Sequence, residues 1–568
     1  MPFFYPDWAN RPSRLIYALP LRTLAQGVYH EARQLAARLG YSVDGELDGR
    51  GRESRPPYVT LQTGEHPDDA FFDRGKIVVT TYDQVLSGLL CGPYGLSDRL
   101  HNINSAAIGG SLLVFDEFHL MQPQRAFLTA VAGLHLFRKL CQSVWMTATA
   151  TQPLEDLLRE ALNAESIPAT AKETDEMLAA LPSVTAVARH FSAQNEPLSP
   201  DPILQQHRQR SIILLNTVRR AQEIFAQMRS RLVGTDTMLI LLHSRFFKED
   251  RARKEKDIRG LFGKRAEGNA ILVATQVIEA GLDISCEQLH TELCPMNALV
   301  QRAGRCARFE GETATVHVYP LPPDERAWLP YGDNAREDIT LAKTRAVLKH
   351  LEGQPAIKLD PKNTAKWVQD VHGEEDLKAL RTGWRGRLAE CLARIHQNSI
   401  LRDPKRIADL IRGDDSDQIR VVIAQPANRP ESPGERESLS LSRWSMARLF
   451  RDGTNIGWSW EAGDVEPWKP LRHPSDLKGT YAVCLLPTVA AYDSDSGLHL
   501  GESGKQESPL RAEPRRPGYA PLRREPWSEH ALQVAKEAVR RFEREAGTAY
   551  LMNRFIAPCM APKWATCS

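Results

Sequence analysis

Short apolar runs alternate with longer amphipathic stretches through roughly the first 320 residues of the chain. The runs at residues 14–20, 76–83, 111–117 and 143–149 are rich in β-branched and aromatic residues. Between them lie stretches such as TLAQGVYHEARQLAARLG, in which apolar residues recur at helical spacing. Strands that alternate with helices in this way are typical of a parallel sheet covered by helices. The pattern therefore predicts an α/β domain.

The same alternation returns after the proline-rich segment QNEPLSPDP. Because further apolar runs follow it, a second α/β domain is predicted. These runs occupy residues 211–217, 237–244, 270–277 and 313–319. We expect the first domain to cover residues 1–195 and the second to cover residues 196–330. Two such domains in tandem leave a cleft, and ligands of open α/β sheets bind beyond the carboxyl ends of the strands.

The composition limits the kinds of molecule that the protein can bind and the location that it can have. The 568 residues are 42% hydrophobic and 25% charged, which is typical of a globular protein with several cores. Because 73 basic residues stand against 71 acidic ones, nucleic acid can be bound only through local patches. The nine cysteines form no CxxC pair, which indicates reduced thiols. No apolar run is long enough to predict a membrane span or a secretion signal, so the predicted location is cytoplasmic.

Acidic residues follow one predicted strand at its carboxyl end. The apolar run SLLVF is followed by Asp116, Glu117, Phe118 and His119. A carboxylate in this place can hold Mg²⁺ through water while its neighbour orients an attacking water. The alternative for an isolated acidic pair is a solvated strand end or a helix N-cap.

Two turns carry further candidate chemistry. Thr147, Ala148 and Thr149 end the next predicted strand, where they form either a coupling turn between domains or an ordinary threonine turn. In the second domain, the segment ATQVIEAGLDIS contains Gly281, which permits a left-handed turn. The same segment contains Asp283, which can receive a ribose hydroxyl or an arginine.

Three arginines and one glutamine lie close together in the segment LVQRAGRCAR. If the segment is a helix, Gln301, Arg305 and Arg308 lie along one face, and Arg302 points elsewhere. A planar guanidinium suits phosphate, and two on one face suit a polyphosphate. The alternative is a solvated basic helix.

Eight segments, taken in chain order, resemble the motifs of one protein family. They are YALPLRTLAQ, VVTTYDQVL, LLVFDEFH, MTATAT, LLNTVRRAQ, LLHSRF, VATQVIEAGLDIS and QRAGRCAR. They look like successive superfamily 2 helicase motifs and are most similar to those of the CRISPR-associated helicase–nuclease family recruited by type I surveillance complexes. The resemblance covers roughly residues 14–320. It implies two tandem RecA-like domains, ATP and Mg²⁺ as cofactors, and single-stranded target DNA and the surveillance complex as partners.

The resemblance also implies roles for the residues of the candidate nucleotide site. Asp116 would coordinate Mg²⁺ and Glu117 would activate the hydrolytic water. His119 and Thr147 would link the nucleotide state to domain closure. Gln301, Arg305 and Arg308 would face the nucleotide, and the two arginines would stabilise the transition state as arginine fingers do. Gly281 and Asp283 complete the predicted nucleotide-contacting set.

The same resemblance implies a track for a single strand of nucleic acid. Hydroxyls, amides and a few arginines aimed at phosphates grip a strand without reading its sequence. Each threonine of the set has the alternative of a helix cap or a strand residue. The implied residues are Pro20, Arg22, Thr23, Thr81, Asn216, Thr217, His243, Arg245 and Thr275.

A phosphate-binding loop is expected ahead of the first predicted strand. RecA-like ATPase domains cradle phosphates with a Gly-rich loop that carries Lys and Ser or Thr. The 568 residues contain no GxxxxGK[ST] segment, because the GK dipeptides at 75–76, 263–264 and 504–505 have other neighbours. The first strand of the first sheet is missing as well. We therefore expect a chain shortened at its start, which does not hydrolyse ATP unless another segment supplies the loop.

The last 240 or so residues are less informative. Residues 331–489 are interpreted as a linker and a mainly helical accessory region. Residues 490–568 are interpreted as a connector and the beginning of a truncated HD-like domain, because the segment AYDSDSGLHLGE resembles the connector before an HD nuclease. His530 takes the place of that domain's first metal ligand, with a solvated helix histidine as the alternative. Because no histidine and no His-Asp pair follow it, the transition-metal site is expected to be incomplete and nuclease activity is not expected.

The functional prediction is an ATP-dependent translocase or helicase on single-stranded DNA in type I CRISPR interference, moving 3′ to 5′ if the family's direction holds. Two alternatives remain open. One is a catalytically inactive fragment that binds DNA or a partner, and the other is a superfamily 2 helicase that acts on RNA. ATPase measurements with single-stranded DNA and with RNA distinguish the three.

Overall fold

The computed structural model describes most of the chain between Pro12 and Pro509. The gaps in this range are 48–52, 65, 94–95, 97–99, 101–102, 148, 181–187, 265, 267, 280, 324–330, 332–337, 353, 355–356, 358, 381–382, 402–404, 412–417, 452, 462–466 and 502–506. Ala148 and His530 of the predicted sites lie outside the described residues, and so does the side chain of Thr23.

Strands and helices alternate through the first two thirds of the described chain. The strands are β1 (Leu15–Leu19), β2 (Glu46–Leu47), β3 (Glu53–Arg55), β4 (Val59–Gln62), β5 (Ile77–Thr81), β6 (Leu112–Asp116), β7 (Gln142–Met146), β8 (Ala188–Ala193), β9 (Arg210–Leu214), β10 (Met238–Leu242), β11 (Ala270–Ala274), β12 (Gln288–Glu292), β13 (Thr313–Tyr319), β14 (Gln418–Ile423), β15 (Leu439–Ser442), β16 (Gly457–Trp460), β17 (Trp468–Leu471), β18 (Ala482–Leu485), β19 (Ala490–Asp493) and β20 (Gly497–Leu500). The α-helices are α1 (Arg22–Arg38), α2 (Tyr82–Leu89), α3 (Ile103–Ile108), α4 (Leu128–Phe137), α5 (Gln152–Leu162), α6 (Ala171–Ala179), α7 (Pro200–Gln206), α8 (Val218–Arg231), α9 (Lys248–Phe262), α10 (Met296–Ala303), α11 (Ile339–Leu351), α12 (Pro361–Leu380), α13 (Trp384–Leu401), α14 (Lys405–Ile411) and α15 (Arg443–Ala447).

The described residues divide into two compact units, each built from two stretches of sequence. The described part of the first unit comprises the residues up to Ser166 and those between Gly373 and Ile411. The described part of the second unit comprises the residues from Ile167 to His372 and those from Gln418 to Pro509. The first unit therefore ends about thirty residues before the predicted boundary at 195. The reason is that β8 pairs with β13 in the second unit.

The first unit contains a five-stranded parallel sheet in the order β4-β5-β1-β6-β7. Strands β4 and β5 are buried along their whole length. The continuous apolar start of β5, IVV, is typical of a parallel sheet that is covered on both faces. At the other edge, β7 pairs with β6 and, within the described residues, with no strand on its other side.

Helices from late in the sequence complete the core of the first unit. Leu380, Cys391 and Leu410 join the apolar cluster that contains α4. The hydroxyl of Thr129 in α4 donates to the carbonyl of Leu410 at 2.7 Å. Because α4 is apolar around most of its circumference, it needs cover on more than one side. The helices α13 and α14 provide that cover.

The second unit is built on a six-stranded parallel sheet in the order β10-β11-β9-β12-β13-β8. Its central strands β11 and β12 are fully buried. The prediction of two α/β parts with parallel sheets is thus confirmed.

A second, mixed sheet also belongs to the second unit. It has the order β15-β14-β18-β16-β17 and lies within residues 418–485. The accessory region predicted to be mainly helical is therefore helical only as far as Ile411 and is mostly strand beyond it. The antiparallel hairpin formed by β19 and β20 follows. None of the described helices is both long and apolar enough to cross a bilayer.

Candidate functional site

The acidic pair lies at the carboxyl end of β6 in the first unit. The hydroxyl of Tyr17 in β1 donates to Asp116 Oδ2 at 2.9 Å, and the backbone N–H of Glu117 donates to Oδ1 at 2.9 Å. The hydroxyl of Tyr82 donates to the backbone carbonyl of Asp116. Burial raises the pKa of Asp116, and the two hydrogen bonds to its carboxylate act in the opposite direction. The carboxylate is therefore held in one orientation from both sides.

Glu117 adopts a left-handed backbone conformation, with φ 57° and ψ 38°. This conformation is uncommon for a residue with a side chain, and such residues concentrate at functional sites. It turns the chain sharply after β6, so that Phe118 enters the core while the Glu117 side chain stays 36% exposed. The two neighbouring carboxylates therefore differ in role: Asp116 is fixed, and Glu117 can be reached from solvent.

His119 contacts the turn that follows β7. Its Nδ1 atom lies 2.6 Å from Thr147 Oγ1, which also accepts the backbone N–H of Thr149 at 3.1 Å. Burial lowers the pKa of His119 to about 4, so the ring is neutral at physiological pH. The Thr149 hydroxyl is buried and has no hydrogen-bond partner among the described residues. The acidic segment and the threonine turn are thus one connected cluster with an unused polar atom.

The predicted track residues of the first unit lie at the carboxyl ends of the parallel strands, as Asp116 does. Pro20 and Arg22 follow β1, and Thr81 ends β5. Arg22 is exposed, whereas Thr81 is buried. The Arg22 side chain lies close to Gly64, because a Cβ added to Gly64 would be 3.3 Å from Arg22 Nη2.

The arginine segment of the second unit is not one helix. Helix α10 ends at Ala303, and a turn follows in which Ala307 has a φ of 48°. The prediction that Gln301, Arg305 and Arg308 share one helical face is therefore wrong, because only Gln301 is in the helix. The two arginines project from the turn instead.

Arg302, the arginine predicted to point elsewhere, is fully buried. It donates to Glu279 Oε1 at 2.7 Å, to Thr291 Oγ1 at 2.8 Å and to the hydroxyl of Tyr331 at 2.8 Å. Burial raises the pKa of Glu279, and the positive charge of Arg302 opposes that shift. A guanidinium with this many partners in the core is a structural element of the second unit.

Arg305 and Arg308 bind the loop around Gly281. Arg305 donates to the carbonyl of Leu282 at 2.6 Å and to the carbonyl of Glu279 at 2.5 Å. Arg308 forms an ion pair with Asp283, and both side chains are substantially exposed. Gly281 has a φ of 90°, as the left-handed turn requires. Of the two alternatives for Asp283, the structure therefore contains the arginine contact.

The remaining predicted track residues of the second unit have partners within the fold. Asn216 donates from Nδ2 to the carbonyl of Leu293 at 2.9 Å, and Thr217 caps α8 by accepting the N–H of Arg220. Thr275 is buried after β11. The structure thus places these residues at or just after strand ends, and the side chains of Asn216 and Thr217 form local hydrogen bonds.

His243 and Arg245 lie beneath the β19–β20 hairpin. His243 is fully buried, and its Nε2 atom lies 3.0 Å from the carbonyl of Ser496. Burial lowers the pKa of His243 to about 3. The backbone carbonyl of Arg245 accepts the N–H of Leu498 at 2.9 Å. In this arrangement the hairpin covers the His243 ring.

Sequence reasoning missed three of the residues that build these sites. Tyr17 orients Asp116 from 99 residues away, and Tyr82 bonds the same residue. Both tyrosines stand within motif-like segments, so their position beside Asp116 could have been suspected from the pairing of parallel strands. Arg189, which contacts the arginine turn, stands in no such segment.

Each of the two units contains a parallel sheet of the RecA-like type, and this fold is shared with solved structures. Residues 6–157 match the family described as DEAD/DEAH box helicase. Residues 207–311 match the family described as CRISPR-associated nuclease/helicase Cas3, C-terminal. The resemblance carried by the eight motifs is confirmed: the two matched segments are similar to DEAD/DEAH box helicases and to the C-terminal part of the CRISPR-associated Cas3 proteins.

Individual relatives agree with this assignment. The CRISPR-associated endonuclease/helicase Cas3 of Thermus thermophilus is 26% identical, over 88% of this chain and 58% of the relative. The crystal structure of T. fusca Cas3 with AMPPNP aligns with a TM-score of 0.56 at 17% identity, over 87% of this chain and 64% of that one. A chain of a CRISPR RNA-guided surveillance complex in a pre-nicking state aligns with a TM-score of 0.54 at 18% identity, over 86% of this chain and 64% of that one. The chain thus spans less than two thirds of the length of each.

Proposed function

We propose that the chain is the motor part of a CRISPR-interference helicase, which moves 3′ to 5′ along single-stranded DNA at the expense of ATP. The connected cluster at the end of β6 is the observation that carries the proposal. It combines an oriented carboxylate, an accessible second carboxylate and a neutral histidine bonded to the threonine turn. A phosphoryl-transfer site needs groups that hold the metal ion, orient the attacking water and couple the nucleotide state to domain closure, and these residues can supply them.

The residues present at the end of β6 fit a magnesium ion. Asp116 offers carboxylate oxygens, the ligand type that Mg²⁺ prefers, and the buried Thr149 hydroxyl is an unused polar atom in the threonine turn that contacts His119. Asp116 would hold the ion through water, and the ion would supply charge neutralisation for the phosphates. Glu117 would orient the attacking water, and His119 would relay the state of the site to the threonine turn. Ala148, within that turn, keeps its predicted coupling role.

In the second unit, Gln301, Arg305 and Arg308 would complete the site, as the resemblance implies. Arg308 is well placed to change partners, because its side chain is 40% exposed and its partner Asp283 is 69% exposed. Such an exposed ion pair is worth about 0–1 kcal/mol, so exchange of Asp283 for a phosphate costs little. Arg305 would remain the link to the Gly281 loop. That these residues face Asp116 and Glu117 stays a prediction.

Single-stranded DNA is the proposed substrate, and a type I surveillance complex is the proposed partner. The names of the relatives and the surveillance-complex structure support this pathway. The proposed track comprises Pro20, Arg22, Thr23, Thr81, Asn216, Thr217, His243, Arg245 and Thr275, of which Arg22 is the exposed cation of the first unit. His243 and Arg245 can join it only if the hairpin moves.

The decisive experiment measures ATP hydrolysis with no nucleic acid, with single-stranded DNA and with RNA of the same length. Because the resemblance implies a phosphate loop, the chain is assayed as it stands and after extension at its start by a GxxxxGK[ST] segment. We expect DNA-stimulated hydrolysis in the extended protein, negligible hydrolysis in the 568 residues alone, and loss of activity in Asp116→Ala. RNA preference would favour the RNA helicase alternative, and no hydrolysis in either form would favour the inactive fragment.

Nuclease activity is not part of the proposal. His530 is the one residue of an HD-type metal set that the resemblance identifies, and it lies outside the described residues. The chain is therefore expected not to degrade single-stranded DNA with Mn²⁺, Ni²⁺ or Co²⁺. Metal-dependent cleavage that disappears in His530→Ala would overturn this.

A further inference from the structure

The turn that carries Arg305 and Arg308 is held by a side chain from β8, the edge strand of the same sheet. Arg189 donates from Nε to the carbonyls of Ala303 and Cys306, at 2.9 and 2.6 Å. It donates from Nη2 to the carbonyl of Ala307 at 3.0 Å. These three carbonyls belong to the last residue of α10 and to the turn itself. One guanidinium thus spans the turn from end to end.

The surroundings of Arg189 point to a positional role. Arg189 is only 7% exposed, and burial lowers the pKa of its guanidinium. Among the described residues it forms no ion pair, so backbone carbonyls are what offset the cost of burying its charge. The last carbonyls of a helix lack partners within the helix and carry partial negative charge, which favours a cation there. The cation is therefore placed where it orders the turn.

The turn needs such support because its backbone is strained. Ala307 has a φ of 48°, which an L-residue with a side chain adopts at a cost. On its other side the turn is tied to the end of the Gly281 loop. The N–H of Ala307 donates to the carbonyl of Cys286 at 3.1 Å, and the N–H of Arg308 donates to Ser285 Oγ at 3.0 Å. The end of the Gly281 loop therefore holds one side of the turn, and Arg189 holds the other.

We infer that Arg189 is a positioning residue for the arginine turn: it fixes the backbone from which Arg305 and Arg308 reach the phosphates, without touching the nucleotide itself. The inference rests on the proposed function for its catalytic consequence. Its structural part stands independently, because it concerns the conformation of residues 303–308 alone. Lysine cannot replace the arginine, because a single ammonium lacks the planar fork that reaches both ends of the turn.

The structural part is tested by the reactivity of buried thiols. Cys306 lies in the turn, whereas Cys141 and Cys484 are buried elsewhere in the fold. Alkylation of each cysteine is followed by mass spectrometry in wild type, Arg189→Lys and Arg189→Met under native conditions. Charge-assisted hydrogen bonds are strong enough that their loss should accelerate Cys306 labelling on the order of 10- to 100-fold, with Cys141 and Cys484 unchanged. Arg251→Met, which removes an arginine from the surface of α9, should label like wild type.

The catalytic part is tested on protein that hydrolyses ATP. Arg189→Lys should lower kcat on the order of 10-fold or more with KM for ATP nearly unchanged, since the two arginines act on the transition state. Unchanged Cys306 labelling in both variants overturns the inference, and so does equal acceleration at all three cysteines. Faster Cys306 labelling with an unchanged kcat also overturns it. If wild type shows no hydrolysis, the proposed function fails, while the thiol measurement still decides the role of Arg189 in the turn.

Discussion

Three arginines of one short segment have three different environments. Arg302 is fully buried and paired with Glu279, Arg305 is bonded to loop carbonyls, and Arg308 is exposed beside Asp283. Similar side chains close in sequence thus divide into one that supports the core, one that holds the Gly281 loop and one that is exposed. The division is set by where α10 ends, at Ala303, and by the turn after it.

Removal of the buried member should destabilise the second unit. Arg302→Met leaves Glu279 buried without its partner, and breaking a buried pair in this way costs about 3–5 kcal/mol. Urea unfolding of the second unit is expected to shift by that amount. Arg219→Met is the matched control, because Arg219 makes an exposed pair with Glu223 and its loss should change stability by less than about 0.5 kcal/mol. Equal shifts in the two variants would contradict the structural role of Arg302.

Sequence reasoning reached these residues but not their geometry. The composition of the segment identified the arginines, and the apolar run before Asp116 placed that carboxylate at a strand end. The helical face was wrong because α10 stops before Gly304, and a single glycine in QRAGRCAR permits a helix end without requiring one. The contacts that hold the turn come from elsewhere: Arg189 is 114 residues from Ala303, and the carbonyl of Cys286 accepts the N–H of Ala307. Contacts of this range leave no periodic signal in the chain.

Among the elements, the β19–β20 hairpin was the least expected. The sequence suggested a connector, whereas the structure shows a hairpin bound to α8, α9 and the segment after β10. Gln222 donates to the carbonyl of Ser496 at 2.8 Å, Lys254 donates to the carbonyl of Asp495 at 3.0 Å, and the Tyr492 hydroxyl donates to Asp250 at 2.6 Å. The hairpin is therefore an integral part of the second unit.

Glycine at the tip of this hairpin should be irreplaceable. Gly497 has a φ of 75°, and a Cβ there would lie 2.5 Å from His243 Cε1 and 2.6 Å from the carbonyl of Arg245. Gly501 is the matched control, because it has a φ of 83° with open space around it. Gly501→Ala should cost about 1–2 kcal/mol from backbone strain alone. Gly497→Ala should cost clearly more and expose the hairpin to protease, and equal losses would show that the hairpin is not packed on His243.

The same contact should make the hairpin sensitive to acid. His243 accepts the N–H of Arg245 at Nδ1, so the neutral ring donates from Nε2 to Ser496. Its pKa in the folded protein is about 3, below the ordinary value of 6.5. The neutral ring therefore stabilises the fold above pH 6.5, and this contribution is lost as the pH falls from 6.5 towards 3.

The expected slope is up to about 1.4 kcal/mol of unfolding free energy per pH unit. Urea unfolding of wild type and His243→Gln is compared between pH 7 and pH 5. The variant should show the smaller loss of stability on acidification, whatever its stability at pH 7. Other buried histidines contribute equally to both proteins, so parallel pH dependences would contradict the assignment.

At the scale of the whole molecule, segments that are far apart in the sequence belong to the same unit. The chain leaves the first unit at Ser166, builds most of the second, and returns to the first at Gly373–Gly413. The sequence predicted two α/β domains in tandem, because hydrophobic periodicity identifies strands and helices. It could not show that the later helices belong with the first sheet, since nothing in α13 or α14 identifies α4 as their partner.

A helicase core cut at residue 330 should therefore fail to fold properly. This cut removes α13 and α14, which cover α4, and the contact is close: a Cβ on Gly383 would lie 2.8 Å from Leu128 Cδ1. Residues 1–330 are expected to aggregate in size-exclusion chromatography, because the apolar surface of α4 would be exposed. Residues 1–509 keep both helices and should elute as a defined species. A stable, cooperatively unfolding 1–330 fragment would contradict this view of the first unit.

Because the chain returns to its first unit late in the sequence, the core of that unit has to wait for its last helices during synthesis. Roughly 250 residues separate Ser166 from Ile411, and a ribosome adding 5–20 residues per second needs on the order of 10–50 s to make them. Throughout that interval the sheet that carries Asp116 exists without the helices that cover α4. The apolar face of α4 is then available to chaperones and to neighbouring nascent chains on the same messenger. The second parallel sheet, whose strands all precede residue 320, can form within the interval, so it can be complete before the first unit receives the helices that cover α4.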